Sequence, residues 1–179
     1  MNVTNLKTSG IVELYAVWKV NSYTITFDSN EGSVVESITA SYGTAISAPV
    51  APTKEGHIFE GWYSNYELTD EFEFITMPAQ NQTLYAKWKA DNYTITFESN
   101  GGSDVEDIVS PLGSSINAPA APTKAGFDFV GWYSDIELTN TYTFDKMPLG
   151  GIKLYAKWTA LEYTITFDSN GGSEVSDIV

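Results

Sequence analysis

Three groups of side chains in this sequence are of types that can do chemistry. Glu67, Asp70, Glu71 and Glu73 form an acidic cluster. Paired carboxylates act as general acid and base when both members are held at a defined separation. His57 is the single histidine, the residue type best suited to proton transfer near neutral pH and to ligating metals. Asp28-Ser-Asn30, Glu98-Ser-Asn100 and Asp168-Ser-Asn170 are oxygen-rich runs of the sort that open calcium loops, whose ions take about six to eight oxygens. Cysteine is absent, which removes thiol nucleophiles, zinc–thiolate sites and disulfides.

The sequence judges these groups against itself, because it repeats. Tyr-Thr-Ile-Thr-Phe occurs at Tyr23–Phe27, Tyr93–Phe97 and Tyr163–Phe167. Gly-Trp-Tyr-Ser occurs at Gly61–Ser64 and Gly131–Ser134, and Ala-Pro-Thr-Lys at Ala51–Lys54 and Ala121–Lys124. Leu-Tyr-Ala-x-Trp occurs at Leu14–Trp18, Leu84–Trp88 and Leu154–Trp158. Every spacing is 70 residues, with no insertion or deletion. Such a period marks an array of modules. A function shared by the modules should use residues present in each. The acidic cluster fails, since its partners are Glu137, Asn140, Thr141 and Thr143. His57 aligns with Phe127, a packing position. The oxygen-rich runs stop at a turn, which in the second and third copies is Asn-Gly, a hairpin turn signal. No catalytic residue, metal ligand or cofactor is predicted, and the acidic residues read as a solvated face.

Composition narrows the partners. Nine Lys, no Arg and 23 Asp plus Glu give a net charge of −14. Nucleic-acid backbones are bound through clustered Lys and Arg, so no nucleic-acid partner is expected. The same field repels anionic membrane surfaces, and no apolar run long enough to insert into a membrane is present. A hydrophobic share of 42% with 14% aromatic excludes a disordered acidic tail.

The elements of one unit follow from local pattern. Tyr23, Ile25 and Phe27 alternate with Thr24 and Thr26, a half-buried strand. Asn100-Gly101 and Asn170-Gly171 predict tight hairpin turns. Glu31 replaces that Gly in the first unit, so a poorer or shifted turn is expected there. Val34 to Tyr42 reads as the return strand. Gly43 to Pro52 and Gly113 to Pro122 are connections with room for at most a short helix, ended by Pro49 and Pro52. Ile58–Tyr63, a short strand at Phe72 and Phe74, and Thr83–Trp88 complete five strands. The predicted core is Ile25, Phe27, Ile38, Ile46, Phe59, Phe74 and Leu84 with one or both Trp. A domain this small buries only about 60% of its unfolded surface, so its aromatic rings must supply the apolar area, about 150–250 Å² each.

The repeated Gly-Trp-Tyr-Ser is the candidate binding site. Neighbours on a strand face opposite ways, so one of Trp62 and Tyr63, and the same one of Trp132 and Tyr133, is expected to be partly exposed. An exposed ring would suit protein or glycan contact. The alternative is that it packs under the Gly43–Pro52 connection or against the neighbouring unit. Lys87 and Lys157 also repeat, as do Asn30 and Asn100, which raises a Lys–Asn cross-link as a further hypothesis.

The ordered blocks Tyr-Thr-Ile-Thr-Phe-Asp-x-Asn-x-Gly, Ala-Pro-Thr-Lys-x-Gly-x-x-Phe-x-Gly-Trp-Tyr, Met-Pro and Leu-Tyr-Ala-x-Trp resemble the Listeria–Bacteroides repeat, the family that includes the B-repeat of internalin B. The resemblance implies a mostly β or α+β fold of small β-grasp-like (ubiquitin/SUMO-like) modules of about 70 residues. It implies a non-enzymatic module in tandem on an extracellular, cell-wall-attached or secreted bacterial protein. The role implied is stalk or spacer with weak multivalent adhesion. A dedicated module for a glycan or a host or bacterial surface protein is the alternative. The expected map is the end of a preceding repeat plus spacer (1–22), complete repeats plus spacers (23–92 and 93–162) and the start of a following repeat (163–179). The expected partners include neighbouring repeats, and self-association through the strand sequences Leu14–Trp18 and Tyr163–Phe167.

Overall fold

The computed structural model describes residues 13–179. All regular structure among them is strand: β1 Ser22–Asp28, β2 Ile38–Ser41, β3 His57–Tyr63, β4 Gln82–Ala90, β5 Asn92–Glu98, β6 Ile108–Pro111, β7 Phe127–Tyr133 and β8 Ile152–Ala160. The chain divides into two compact units. One holds the residues up to Lys54 together with Phe59–Trp88, and the other holds Glu55–Ile58 with Lys89–Val179.

Each module is one four-stranded sheet, ordered β2-β1-β4-β3 in the first and β6-β5-β8-β7 in the second. β1 pairs antiparallel with β2, placing Ile25 beside Ile38. It pairs parallel with β4, placing Phe27 beside Leu84. The second sheet repeats this register, with Ile95 beside Ile108 and Phe97 beside Leu154. The period-two pattern thus puts Ile25, Phe27, Leu84 and Ala86 on one face. Ile25, Trp62, Met77, Leu84 and Ala86 are buried together, with Phe27, Ile38, Ile46, Phe59, Phe74 and Trp88 packed around them. Ile95, Ile116, Trp132, Met147, Leu154 and Ala156 form the matching core. Burying one large aliphatic side chain contributes about 1.5–3 kcal/mol, so a module this small rests on few residues.

Several expectations change. The return strand is only Ile38–Ser41, because Ser33 leaves β1 to pair elsewhere: its N–H donates to Thr53 O at 2.8 Å and its hydroxyl accepts from Thr53 N at 2.9 Å. No helix forms in Gly43–Pro52. The donors it would need are spent on a facing loop, with Gly43 N to Met77 O at 3.0 Å, Met77 N to Thr44 O at 2.8 Å and Ile46 N to Ile75 O at 3.2 Å. That clamp draws Met77 into the core, a residue absent from the predicted core. Phe72 and Phe74 lie in no strand. Their segment makes isolated bridges instead, Glu71 to Tyr63 at the end of β3 and Thr76 to Ala45 in the connection. Four strands per module therefore replace five.

The turn after β1 is not shifted by Glu31. Asn30 and Glu31 take φ of 48° and 67°, as Asn100 and Gly101 take 51° and 83°. Tertiary bonds impose this shape: Trp88 Nε1 donates to Ser29 O at 2.8 Å, Asn30 Nδ2 to Ala86 O at 2.6 Å, and Lys54 Nζ reaches Glu31 at 3.1 Å. Leu14–Trp18 forms no strand, and Tyr163–Phe167 makes one bridge, Ile165 with Ile178. Among the described residues neither has the flanking strands that hold β4 or β1, and lone strands are marginal in water.

Candidate contact site on the Gly-Trp-Tyr-Ser strand

The site is built on β3 and its counterpart β7. In β7 the register against β8 slips between Phe129 and Gly131, so Val130 is an extra residue. The slip is a β-bulge, which bends the strand and re-aims side chains. Gly131 sits there at φ 154° and Gly61 at φ 142°, backbone that favours glycine. The bulge lets Phe129 and Trp132, three residues apart, face the same core. Their rings meet edge-on at 5.4 Å, as do those of Phe59 and Trp62. Trp62 also lies 4.7 Å from Phe27 and Trp132 4.7 Å from Phe97. Both indole N–H groups are buried without a hydrogen-bond partner, so these rings serve as apolar mass.

Tyr63 and Tyr133 point to the opposite face, as alternation requires, yet they are not exposed. Exposure is 3% for Trp62, 8% for Tyr63, 5% for Trp132 and 7% for Tyr133. The expectation of one partly exposed ring fails. After the strand the chain turns back on it: Ser64 N bonds Asp70 O at 2.8 Å and Phe72 N bonds Trp62 O at 2.8 Å. Lys87 Nζ sits 4.8 Å above the Tyr63 ring and Lys157 Nζ 4.8 Å above that of Tyr133. Lys157 also donates to Leu138 O at 3.3 Å. The repeated lysines thus cap tyrosines.

The structure does not pair these lysines with the repeated asparagines. Asn30 and Asn100 donate to Ala86 O and Ala156 O, whereas Lys54 and Lys124 approach their main-chain oxygens at 3.0 and 2.8 Å. His57 Nδ1 contacts Glu55 O at 2.8 Å. The oxygen-rich runs serve as turns, with Asn30 N bonded to Asp28 Oδ1 at 2.9 Å. Among the described residues no group of three or more His, Asp or Glu is placed to hold a metal.

Exposed rings lie elsewhere, and one of them is close to this strand's loop. Tyr66 is 74% exposed and stands edge-on to Tyr85 at 5.8 Å. Its counterpart is Ile136, so the pair is particular to the first module. Its signal in the sequence was an aromatic residue in a turn, outside any alternating run.

Two sheets of the same order and register, each closed on its own Trp-bearing core, match what the repeated blocks imply. The sequence profile of the Listeria–Bacteroides repeat domain matches residues 23–87 and 93–157. The chain belongs to the Listeria–Bacteroides repeat family. Among its relatives is a protein of Evansella cellulosilytica whose name describes a Gly-rich membrane protein, 47% identical over 93% of this chain and 20% of its own length. A second from that organism, named as a membrane protein, is 45% identical over 92% of this chain and 25% of its own length. Internalin H of Listeria monocytogenes is 38% identical over 77% of this chain and 25% of its own length. The chain spans a fifth to a quarter of these Listeria–Bacteroides repeat relatives.

Proposed function

We propose that this chain is a non-enzymatic stalk segment of a bacterial cell-envelope protein, secreted or held at the surface. It would space another domain and contribute weak contacts that add through repetition. The carrying observation is the pair of modules with the same strand order, register and core, joined without insertion, in which no repeated set of reactive side chains occurs. The names of the relatives, membrane proteins and an internalin, support the envelope setting. Each 70-residue repeat acts here as one folding unit. The parallel pair β1–β4 at the sheet centre, flanked by β2 and β3, supports assignment to the β-grasp class, with residues 42–56 in place of a helix. Solution scattering from proteins with two and four modules tests the stalk: the maximum dimension should grow with module number, and a constant dimension defeats it.

Contacts of the array would be multivalent, where avidity raises modest affinity by about 10²–10⁴. Leu14, Val17, Trp18, Tyr163 and Ile165 expose large apolar side chains and would pair with the matching strands of other repeats. A monomeric sedimentation profile at high concentration argues against that pairing. The glycan or host-protein reading loses its exposed Trp62, Tyr63, Trp132 or Tyr133 ring to burial.

A further inference from the structure

The chain enters the first module at β1 and leaves it from β4, and these two strands are neighbours at the centre of the sheet. They run parallel, with Ile25, Thr26, Phe27 and Asp28 beside Gln82, Thr83, Leu84 and Tyr85. In the second module β5 and β8 do the same, from Ile95 beside Ile152 to Glu98 beside Tyr155. Tension along the chain therefore pulls the start of β1 and the end of β4 toward opposite ends of one ladder. The evenly spaced bonds of a parallel ladder are then strained together, in shear. An antiparallel pair pulled apart at its open end, such as β1 and β2 at Ser22 and Ser41, is loaded one bond at a time.

Side chains lengthen this seam. Past Asp28 the backbone of β1 turns away from β4, yet Asn30 Nδ2 donates to Ala86 O at 2.6 Å and Trp88 Nε1 to Ser29 O at 2.8 Å. The second module places the same bonds at the same points, Asn100 Nδ2 to Ala156 O at 2.7 Å and Trp158 Nε1 to Ser99 O at 2.8 Å. Each Trp ring lies so close against the turn that a Cβ on Gly32 or Gly102 would overlap it. At the other end of the first seam Thr24 N donates to Asn81 Oδ1 at 2.8 Å. Between the ends the Thr26 and Thr83 hydroxyls meet at 2.9 Å. In the second module Lys153 and Glu98 pair across the seam at 3.1 Å.

We propose that the seam between the first and last strands of each module is a load-bearing clamp, with Asn30 and Trp88, and likewise Asn100 and Trp158, as its fasteners. Tension of this kind follows from the stalk reading, in which the chain holds a displayed domain away from the envelope. A joint loaded in shear concentrates strain at its two ends, and the side-chain bonds sit at those ends. Sliding β1 past β4 breaks them together with the ladder. Forced unfolding is governed by the unfolding barrier and not by equilibrium stability. A module too small for a large core can therefore be strong along the chain. β2 and β3 lie at the sheet edges, outside the path of the load. The repeated Ser-Asn of the turn and the last Trp of Leu-Tyr-Ala-x-Trp thus share one task.

The test is single-molecule pulling on the whole chain through introduced cysteine pairs, which are unambiguous because the sequence has no cysteine. Ser22→Cys with Lys89→Cys loads the first module in shear. Ser22→Cys with Ser41→Cys peels β2 from β1. At one loading rate the shear geometry should need at least about twice the force of the peel, because its bonds are strained together. Asn30→Gly keeps the left-handed backbone and removes the amide, and Trp88→Phe keeps a ring and removes the N–H. Each should lower the shear force and leave the force that first peels β2 unchanged. A shear force no greater than the peel force overturns the clamp. Equal losses in both geometries overturn the role of the fasteners, since a side chain that only supports the core weakens the module in every direction. Scattering from two and four modules reads length alone, so loss of the clamp and loss of the stalk are separate results.

Discussion

The modules at residues 23–88 and 93–158 share a majority of their residues and all of their topology, yet solve several local problems differently. At the tight turn one has Glu31 and the other Gly101. In the loop after β3, Asn65 Oδ1 accepts from Thr69 N and Asp70 N at 3.2 and 3.0 Å. In the second module Asp135 does this as a carboxylate, accepting from Thr139 N at 2.9 Å and Asn140 N at 2.7 Å. Before β4, Asn81 Oδ1 accepts from Thr24 N at 2.8 Å, whereas Gly151, at φ 70°, lies where a Cβ would overlap the Thr94 carbonyl. At the rim of the core Gln82 has a buried Nε2 without a partner, and Ile152 fills that place with an apolar side chain. These four differences fall at turns, loops and rims. What is held constant is the ring of contacts among Trp, Phe and Leu, so packing tolerates varied solutions at its margins but not within.

That comparison can be broken or sharpened by substitution, with stability followed module by module by native-state hydrogen exchange. Leu84→Ala and Leu154→Ala remove matched, fully buried side chains. Each should cost its own module about 2–5 kcal/mol; clearly unequal losses would show that the cores are not equivalent. Gly151→Ala should destabilise the second module by roughly 2–3 kcal/mol, through the overlap with Thr94 and a left-handed backbone. Asn81→Ala in the first should cost only about 1 kcal/mol, the net worth of one hydrogen bond. Similar losses would mean that the two solutions are interchangeable.

Gln82→Ile should stabilise the first module by about 1–2 kcal/mol, because an unsatisfied buried donor is replaced by the side chain that the second module uses. A loss instead would mean that Ile does not fit the first rim. Glu31→Gly should gain about 0.5–1 kcal/mol by relieving a left-handed non-glycine residue, offset by loss of a largely exposed ion pair with Lys54. A net loss would show that the Lys54 contact outweighs the backbone.

The smallest effect concerns acid. The Thr139 backbone N–H, first among several donors, holds the Asp135 carboxyl below its ordinary value of 3.8. Because the folded value is the lower one, the stabilisation is complete above the ordinary value and is lost as pH falls through the folded value. Exchange protection in residues 135–140 should therefore decline below about pH 4, while residues 65–70, held by the neutral Asn65, keep theirs. Asp135→Asn should abolish the difference; a decline that survives it would place the titrating group elsewhere.

Much of this molecule is local and hence legible in its sequence. Alternation of Tyr23, Ile25 and Phe27 with threonines specifies β1 without reference to the rest of the chain. The 70-residue period sets the number of modules. Absence of any repeated reactive set removed the catalytic readings of His57 and the acidic cluster. The return strand is shorter than its sequence suggests because Ser33 is diverted by Thr53, a partner twenty residues away. The room for a short helix in Gly43–Pro52 goes unused because Gly43, Thr44 and Ile46 spend their backbone groups on the loop at Met77.

The candidate site shows the same division. That Trp62 and Tyr63 face opposite ways follows from strand geometry alone. That neither is exposed goes with Gly61 held at a φ of 142°, a chain that turns back at Ser64 and a lysine over the outer ring, none of which has a period to read. Sequence by itself determined the repeat, the strand-forming runs and the left-handed turn, because each is a matter of neighbouring residues. Only the tertiary structure decided the order β2-β1-β4-β3, the burial of both rings and the carbonyls that tie down Asn30 and Asn100. Those depend on groups far apart in the chain, brought together by closing one core.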